Sequence, residues 1–424
     1  KKVKNIMHRF RWLWLLIVAL LVVGSVVAQA AAPWVAFVNE SGQLVVTDAN
    51  GASRWIVTNP GEQLHPILGY TWSPDGTRLL VATQDGAGAL LRLGDVSSQT
   101  LTDFGRLDGS YLSGGLWQNA NTVLLSDGQT VYAATPQGQT PIGVGALASP
   151  YADVTNAALP ANALPLSWQG GRYTLGNTAL PGDQPDARAD NGGLWTLNNP
   201  LVAYGAFDED GASAVYVANA QTGATVRFNS GGRTPIFPEV WLPSSSHLLF
   251  RDGAGQIRGV DLSCLLSSCG SDPFAASVVI LPASVSEVQT SATQLLYRDQ
   301  DQIWRTSLGC IAQQNCYDSA QAIGANAAPR TPLLVRGNTV LYTAYGTSQM
   351  DTSDRTVYGL DLNCGDCTAQ PLVSNATAIS LDGSGQNAVV ESAGQGIALL
   401  RMNDLSQVYL AGPSTKGAFV RWNR

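Results

Sequence analysis

After Pro33 the chain is a succession of short apolar or alternating runs, four to eight residues long, set apart by Gly, Asn, Asp, Pro and Ser. Period-two alternation bounded by turn residues predicts strands, and no amphipathic helical run stands out among them. The clearest runs are 34–38, 78–83, 122–126, 201–207, 247–250, 294–297, 339–345 and 387–390. Most are followed by a turn and a second strand, at 43–48, 89–96, 130–135, 213–220, 256–262, 302–308, 356–362 and 397–403. Trp72 to Gln84, WSPDGTRLLVATQ, is the sharpest example. An aromatic ends one run, Pro74 sets φ in a tight turn, Gly76 supplies a positive φ, and a second apolar run leaves at once.

Successive landmark strands lie 44 to 48 residues apart, except for one gap of 79 between Thr122 and Leu201. A period in the forties with four strands per unit predicts an all-β fold, a β-propeller. A lone sheet of this kind has two apolar faces and cannot bury both, whereas packing sheets around an axis buries them all. Eight blades are expected within 33–424, with 145–192 an insertion or a degenerate blade. The first unit starts at its second strand, Trp34, and an orphan strand at 417–422 follows the last, so the tail is expected to complete the first blade.

The WSPDG turn followed by an apolar strand resembles the repeat of TolB-like and WD-repeat-like bacterial propellers. Phe207-Asp208-Glu209-Asp210-Gly211 and Leu381-Asp382-Gly383 are weaker echoes. The resemblance implies architecture only, because propellers host many unrelated functions.

The first 33 residues differ in kind. Residues 1–11 are basic, with Lys1, Lys2, Lys4, Arg9 and Arg11 and no acid, and 12–32 is a 21-residue run without charge. Such a run is long enough to cross a hydrocarbon core as a helix, and the preceding charges predict a cytoplasmic N-terminus. A single-pass signal anchor is expected, with the propeller on the extracytoplasmic side; Ala28-Gln29-Ala30 offers the cleaved signal peptide as the alternative. Without those five bases, the net charge of −7 becomes −12, which argues against a nucleic-acid partner.

All six cysteines lie late in the chain as three close pairs, Cys264 with Cys269, Cys310 with Cys316 and Cys364 with Cys367. Each pair follows a matching strand, IRGVDLSC, IWRTSLGC and VYGLDLNC, which predicts a disulfide at the same point of three consecutive repeats, each stapling an outer hairpin loop. Cys364-Gly365-Asp366-Cys367 has redox or metal spacing but no βαβ context, and Thr368 stands where haem attachment needs His.

Candidate chemistry is sparse. His65 and His247 are the only histidines after the basic segment, and a lone His in a β-protein is most often structural. No GxSxG, HExxH or Walker sequence occurs, and Asp208-Glu209-Asp210 and Asp299-Gln300-Asp301 fall at expected turns. No catalytic, cofactor-binding or metal-ligating set is therefore assigned. Two functions are compatible with this picture. The first is a non-enzymatic, membrane-anchored interaction or scaffold subunit whose partners are other subunits of a membrane protein complex. The second is an exported propeller that holds a small ligand or glycan in its axial funnel, as sensor or enzyme.

Overall fold

The computed structural model describes residues 33–423 apart from 110–111, 148–158, 160–162, 186–192, 197–198, 230–233, 235, 244–245, 267–275 and 414–419. The described residues form nine antiparallel sheets, eight of four strands and one of five. Numbering the sheets as blades from the N-terminus, and their strands a to d from the inner to the outer edge, every landmark run of the sequence is a strand b. In blade 7, for example, strands a to d are Val285–Thr290, Gln294–Asp299, Gln302–Ser307 and Gln321–Gly324.

The strands pack as blades because both of their faces are apolar. In strand b of blade 7, Leu295 and Tyr297 join the core shared with blade 6, while Leu296 between them joins the core shared with blade 8. Blade 8 repeats this with Val340 and Tyr342 on one side and Leu341 on the other. Residues one apart point to opposite sides of a sheet, so an uninterrupted apolar strand stitches two neighbours at once. Following the shared cores from blade to blade leads from blade 1 round to blade 9, and Val389, Leu399 and Leu410 of blade 9 then pack with Val35, Phe37 and Val45 of blade 1. The sheets therefore close into a ring.

The expectation of eight blades plus a transmembrane helix needs correction in its blade count. There are nine blades, because the stretch read as an insertion supplies blade 4: Ala146–Leu147, Leu166–Gln169, Arg172–Leu175 and Thr178–Ala179. Its central hairpin is visible in the sequence, but its inner and outer strands have two residues each, too few to show alternation. As for the helix, 12–32 lies outside the described residues, and no helix among those described is long and apolar enough to cross a membrane. The described helical turns are Ser263–Leu266 and Cys310–Gln313.

Ring closure runs through the tail. Arg421–Trp422 is strand a of blade 1, with Trp422 opposite Val35 and Arg421 opposite Ala36. Asn423 extends the pairing: its N–H donates to the Trp34 carbonyl at 2.9 Å, and its Oδ1 accepts the Trp34 N–H at 2.7 Å. The same residues reach blade 2. Trp72 of the WSPDG turn donates its indole N–H to the Arg421 carbonyl at 3.1 Å, Asn423 Nδ2 donates to the Gly76 carbonyl at 2.9 Å, and Arg421 donates to the Tyr70 carbonyl at 2.7 Å. Trp422 Nε1 donates to Ser380 Oγ of blade 9 at 3.2 Å. The turn itself is tied by Ser73, whose carbonyl accepts the Gly76 N–H, with Gly76 at φ +70°.

Deleting residues 421–424 is expected to lower the unfolding temperature of the whole domain, and Trp422→Ala alone, emptying a buried site, should cost about 3–5 kcal/mol. Calorimetry of the deletion variant checks this; an unshifted transition would show that the ring is held elsewhere.

Candidate functional site

Because strands alternate in direction, the a–b turns and c–d loops of all blades share one face of the ring, and the b–c turns and d–a connections share the other. The WSPDG turn is an a–b turn, and the cysteine pairs fall in c–d loops, so both belong to the first face. The Phe207–Gly211 echo joins strands b and c of blade 5 and lies on the opposite face, so it is not the equivalent turn.

Cys310 is bonded to Cys316, with Cα atoms 4.7 Å apart, and Cys364 to Cys367, with Cα atoms 5.6 Å apart. Cys264 is also in a disulfide, and its expected partner, Cys269, lies outside the described residues. The loops of blades 6, 7 and 8 that carry these bridges differ in what they touch. Cys310 and Cys316 are buried in the core between blades 6 and 7, where Leu308 and Ile311 bring the loop back over its own blade. The bridge is local to the loop between strands c and d, as expected, and that loop is apolar enough to be drawn into the seam. Cys367 is exposed and Cys364 half-buried.

The loops of blades 6 and 8 are gripped by the preceding blade. Arg305, in strand c of blade 7, donates through Nη1 to the Cys364 carbonyl at 2.7 Å and through Nη2 to the Gly365 carbonyl, while Gln321 Oε1 holds the same guanidinium at 3.0 Å. Asn219 of blade 5 donates to the Leu265 carbonyl at 3.1 Å, beside Cys264. Across the closure, Arg401 of blade 9 donates to the Asn50 carbonyl of blade 1 at 3.1 Å. A loop can serve as such a receptor only if its carbonyls stay in place, and closing a loop of these lengths removes about 2 kcal/mol of unfolded-state freedom.

The titratable candidates are held in structural roles. His65 is buried between blades 1 and 2, its Nδ1 accepting the Ile67 and Leu68 N–H groups at 3.3 Å, and burial pushes its pKa down. Nδ1 is therefore deprotonated. His247 Nδ1 lies 4.0 Å from Asp261 Oδ1. Asp208 accepts the Asp210 and Ala212 N–H groups within its turn, Asp299 accepts the Tyr317 hydroxyl at 2.9 Å, and Asp301 accepts the Tyr345 hydroxyl at 2.8 Å. Among the described residues no group of three or more His, Cys, Asp or Glu side chains is placed to hold a metal ion. Trp72, Trp117, Trp195, Trp241 and Trp422 are buried in the seams, while Trp168 is partly exposed.

A cleft of about 460 Å³ opens at the rim where strand d of blade 7 meets blade 8. Its walls include Tyr342, Tyr345, Tyr358, Gln302, Asn326 and Thr356, together with Thr368 and Ala369, which directly follow Cys367. Tyr342 and Tyr358 are cross-strand partners with rings stacked at 5.5 Å. Burial pushes the Tyr342 hydroxyl up to about 12, so it stays un-ionised. These residues were not candidates in the sequence, because their convergence depends on cross-strand register and on the packing of one blade against the next.

No protein-family model matches the chain, and no curated protein matches it. Solved structures do match. A eukaryotic initiation factor shares 10% identity over 92% of this chain and 98% of its own, with a TM-score of 0.58. The dipeptidyl peptidase 4 of Porphyromonas gingivalis shares 12% over 88% of this chain and 57% of its own, with a TM-score of 0.51. TolB from Acinetobacter baumannii is matched at 13% over 92% of this chain and 66% of its own, with a TM-score of 0.33, too poor a superposition to bear on more than its presence among the matches. The chain spans little more than half the length of the peptidases it matches, 57% of the Porphyromonas enzyme and 52% of a prolyl endopeptidase. At these identities the likeness is one of fold: the chain is a β-propeller, as the turn motif and the period imply.

Under native conditions a mild reductant with an alkylating agent should label Cys364 and Cys367 well before Cys310 and Cys316, as read by peptide mapping, since burial shields the second pair. Labelling at equal rates would contradict that difference. For His65, the unfolded imidazole titrates near its ordinary value of about 6.5 and the folded one lower, so the folded state binds fewer protons. Its contribution to stability is thus present above about pH 6.5 and lost as pH falls towards the folded value. His65→Asn, which keeps an acceptor but does not titrate, should remove that part of the pH dependence in denaturant titrations; an unchanged profile would assign it elsewhere.

Proposed function

We propose that this chain is an exported, non-enzymatic propeller that works as an interaction subunit of an assembly at the membrane, through the face that carries the bridged loops. One observation carries the reading: the c–d loops of consecutive blades 6, 7 and 8 each carry a disulfide cysteine on one face, the bridges of blades 7 and 8 closing their own loops, and the loops of blades 6 and 8 receive hydrogen bonds from the blade before. Loops fixed in this way present a surface whose ordering cost is already met before a partner arrives, which favours association. Disulfides belong to an oxidising compartment, in line with the basic segment and uncharged run that precede the propeller in the sequence. Peptidase activity is not carried over from the matched peptidases, which are longer chains that resemble this one in fold.

The test is gentle detergent extraction from the native cell followed by native-gel and mass analysis. A species much larger than the 44.6 kDa chain is expected, with defined companions that are lost when Cys364 and Cys367 are both changed to Ser in a chain that still folds. Migration as a single chain would remove the proposal.

A further inference from the structure

The cleft between blades 7 and 8 has a chemistry of its own. None of its lining side chains is charged, although the molecule as a whole is acidic. Its size falls within the range of about 300–1,000 Å³ usual for small-molecule sites. The accessible lining combines the rings of Tyr345 and Tyr358 with the amides of Gln302 and Asn326 and the hydroxyl of Thr356, over a floor formed by the buried Tyr342. Amides and hydroxyls both donate and accept, and aromatic rings offer flat apolar faces.

The walls are held by the fold. A Cβ at Gly324 would run into the Tyr342 hydroxyl, so the glycine lets strand d of blade 7 lie close over that ring. Asp301 fixes the Tyr345 hydroxyl, and the Tyr345 N–H donates to the Asn326 carbonyl at 2.8 Å. On the cysteine side, Arg305 grips Cys364 and Gly365, the disulfide spans to Cys367, and the Ala369 N–H donates to the Ile323 carbonyl at 2.8 Å. The bridge and the arginine thus set the position of Thr368 and Ala369, which form one wall.

We propose that this seam cleft is a binding site for a neutral saccharide. Uncharged lining gives an anionic or cationic ligand no counter-ion, and a purely apolar ligand would leave the amides unpaired. A sugar ring satisfies both features: its C–H face lies on an aromatic ring while its hydroxyls exchange hydrogen bonds with groups that donate and accept. The site is on the rim, between two blades, and is separate from the axial funnel considered from the sequence.

The full chain is titrated with cellotriose, maltotriose and N,N′,N″-triacetylchitotriose, all neutral, by calorimetry and by ligand-observed NMR. At least one is expected to bind, with a Kd between about 1 μM and 1 mM. Tyr358→Ala should weaken it by about tenfold or more, a loss of about 1.4 kcal/mol. If Tyr358→Ala lowers the unfolding temperature, Gln302→Ala, at an exposed side chain, provides the second reading and should weaken binding without affecting the fold. Failure of all three sugars to bind would overturn the proposal. So would binding that neither substitution weakens, or a proline-rich peptide occupying the cleft while the sugars do not.

Discussion

The structure depends on a pairing across the whole length of the chain: Arg421 and Trp422 lying against Ala36 and Val35. Without it, blade 1 would lack its inner strand and the core between blades 9 and 1 would lose Trp422. Asn423, Trp72 and Arg421 turn this into a three-way junction in which one short strand is held by blades 1, 2 and 9. A ring has no weak end to fray once it is joined, so the stability of every seam becomes conditional on the joint.

The seams are built from one rule applied repeatedly, that adjacent residues in a strand face opposite ways. Uninterrupted apolar runs such as Leu295-Leu296-Tyr297 and Leu248-Leu249-Phe250 therefore serve two cores each. This is why strands b and c read so plainly in the sequence, whereas outer strands, apolar on fewer positions, read weakly. Polar links supplement the packing: Arg305, Asn219 and Arg401 each reach into the c–d loop of the next blade. All three of these links run from strand c of one blade or its end into the c–d loop of the next.

The disulfides belong to that second layer of organisation. In blade 7 the bridge lies inside the core, and in blade 8 it holds a loop that receives Arg305 and continues into the wall of the rim cleft. Covalent closure, inter-blade hydrogen bonding and the cleft are therefore parts of one region, blades 6 to 8. Outside this region the densest set of polar links is at the closure, where Arg421, Trp422, Asn423 and Trp72 join blades 1, 2 and 9.

Much of this was legible in the chain of letters because it is local. The period in the forties, the turn chemistry of Trp72 to Gly76, the two middle strands of each blade, the local cysteine pairs and the orphan strand at the end follow from spacing and side-chain type. Blade 4 escaped because two-residue strands carry no alternation, and the echo at Phe207 misled because a turn residue does not record which strands it joins. The cleft was invisible for a related reason: Tyr342 meets Tyr358 through register, and both meet Gln302 and Asn326 only when blade 7 is laid against blade 8. Sequence fixes what each segment prefers to do by itself, through torsional preference and the apolar pattern. Which segments face one another is decided by the burial of all seams together, a constraint that exists only once the ring has closed.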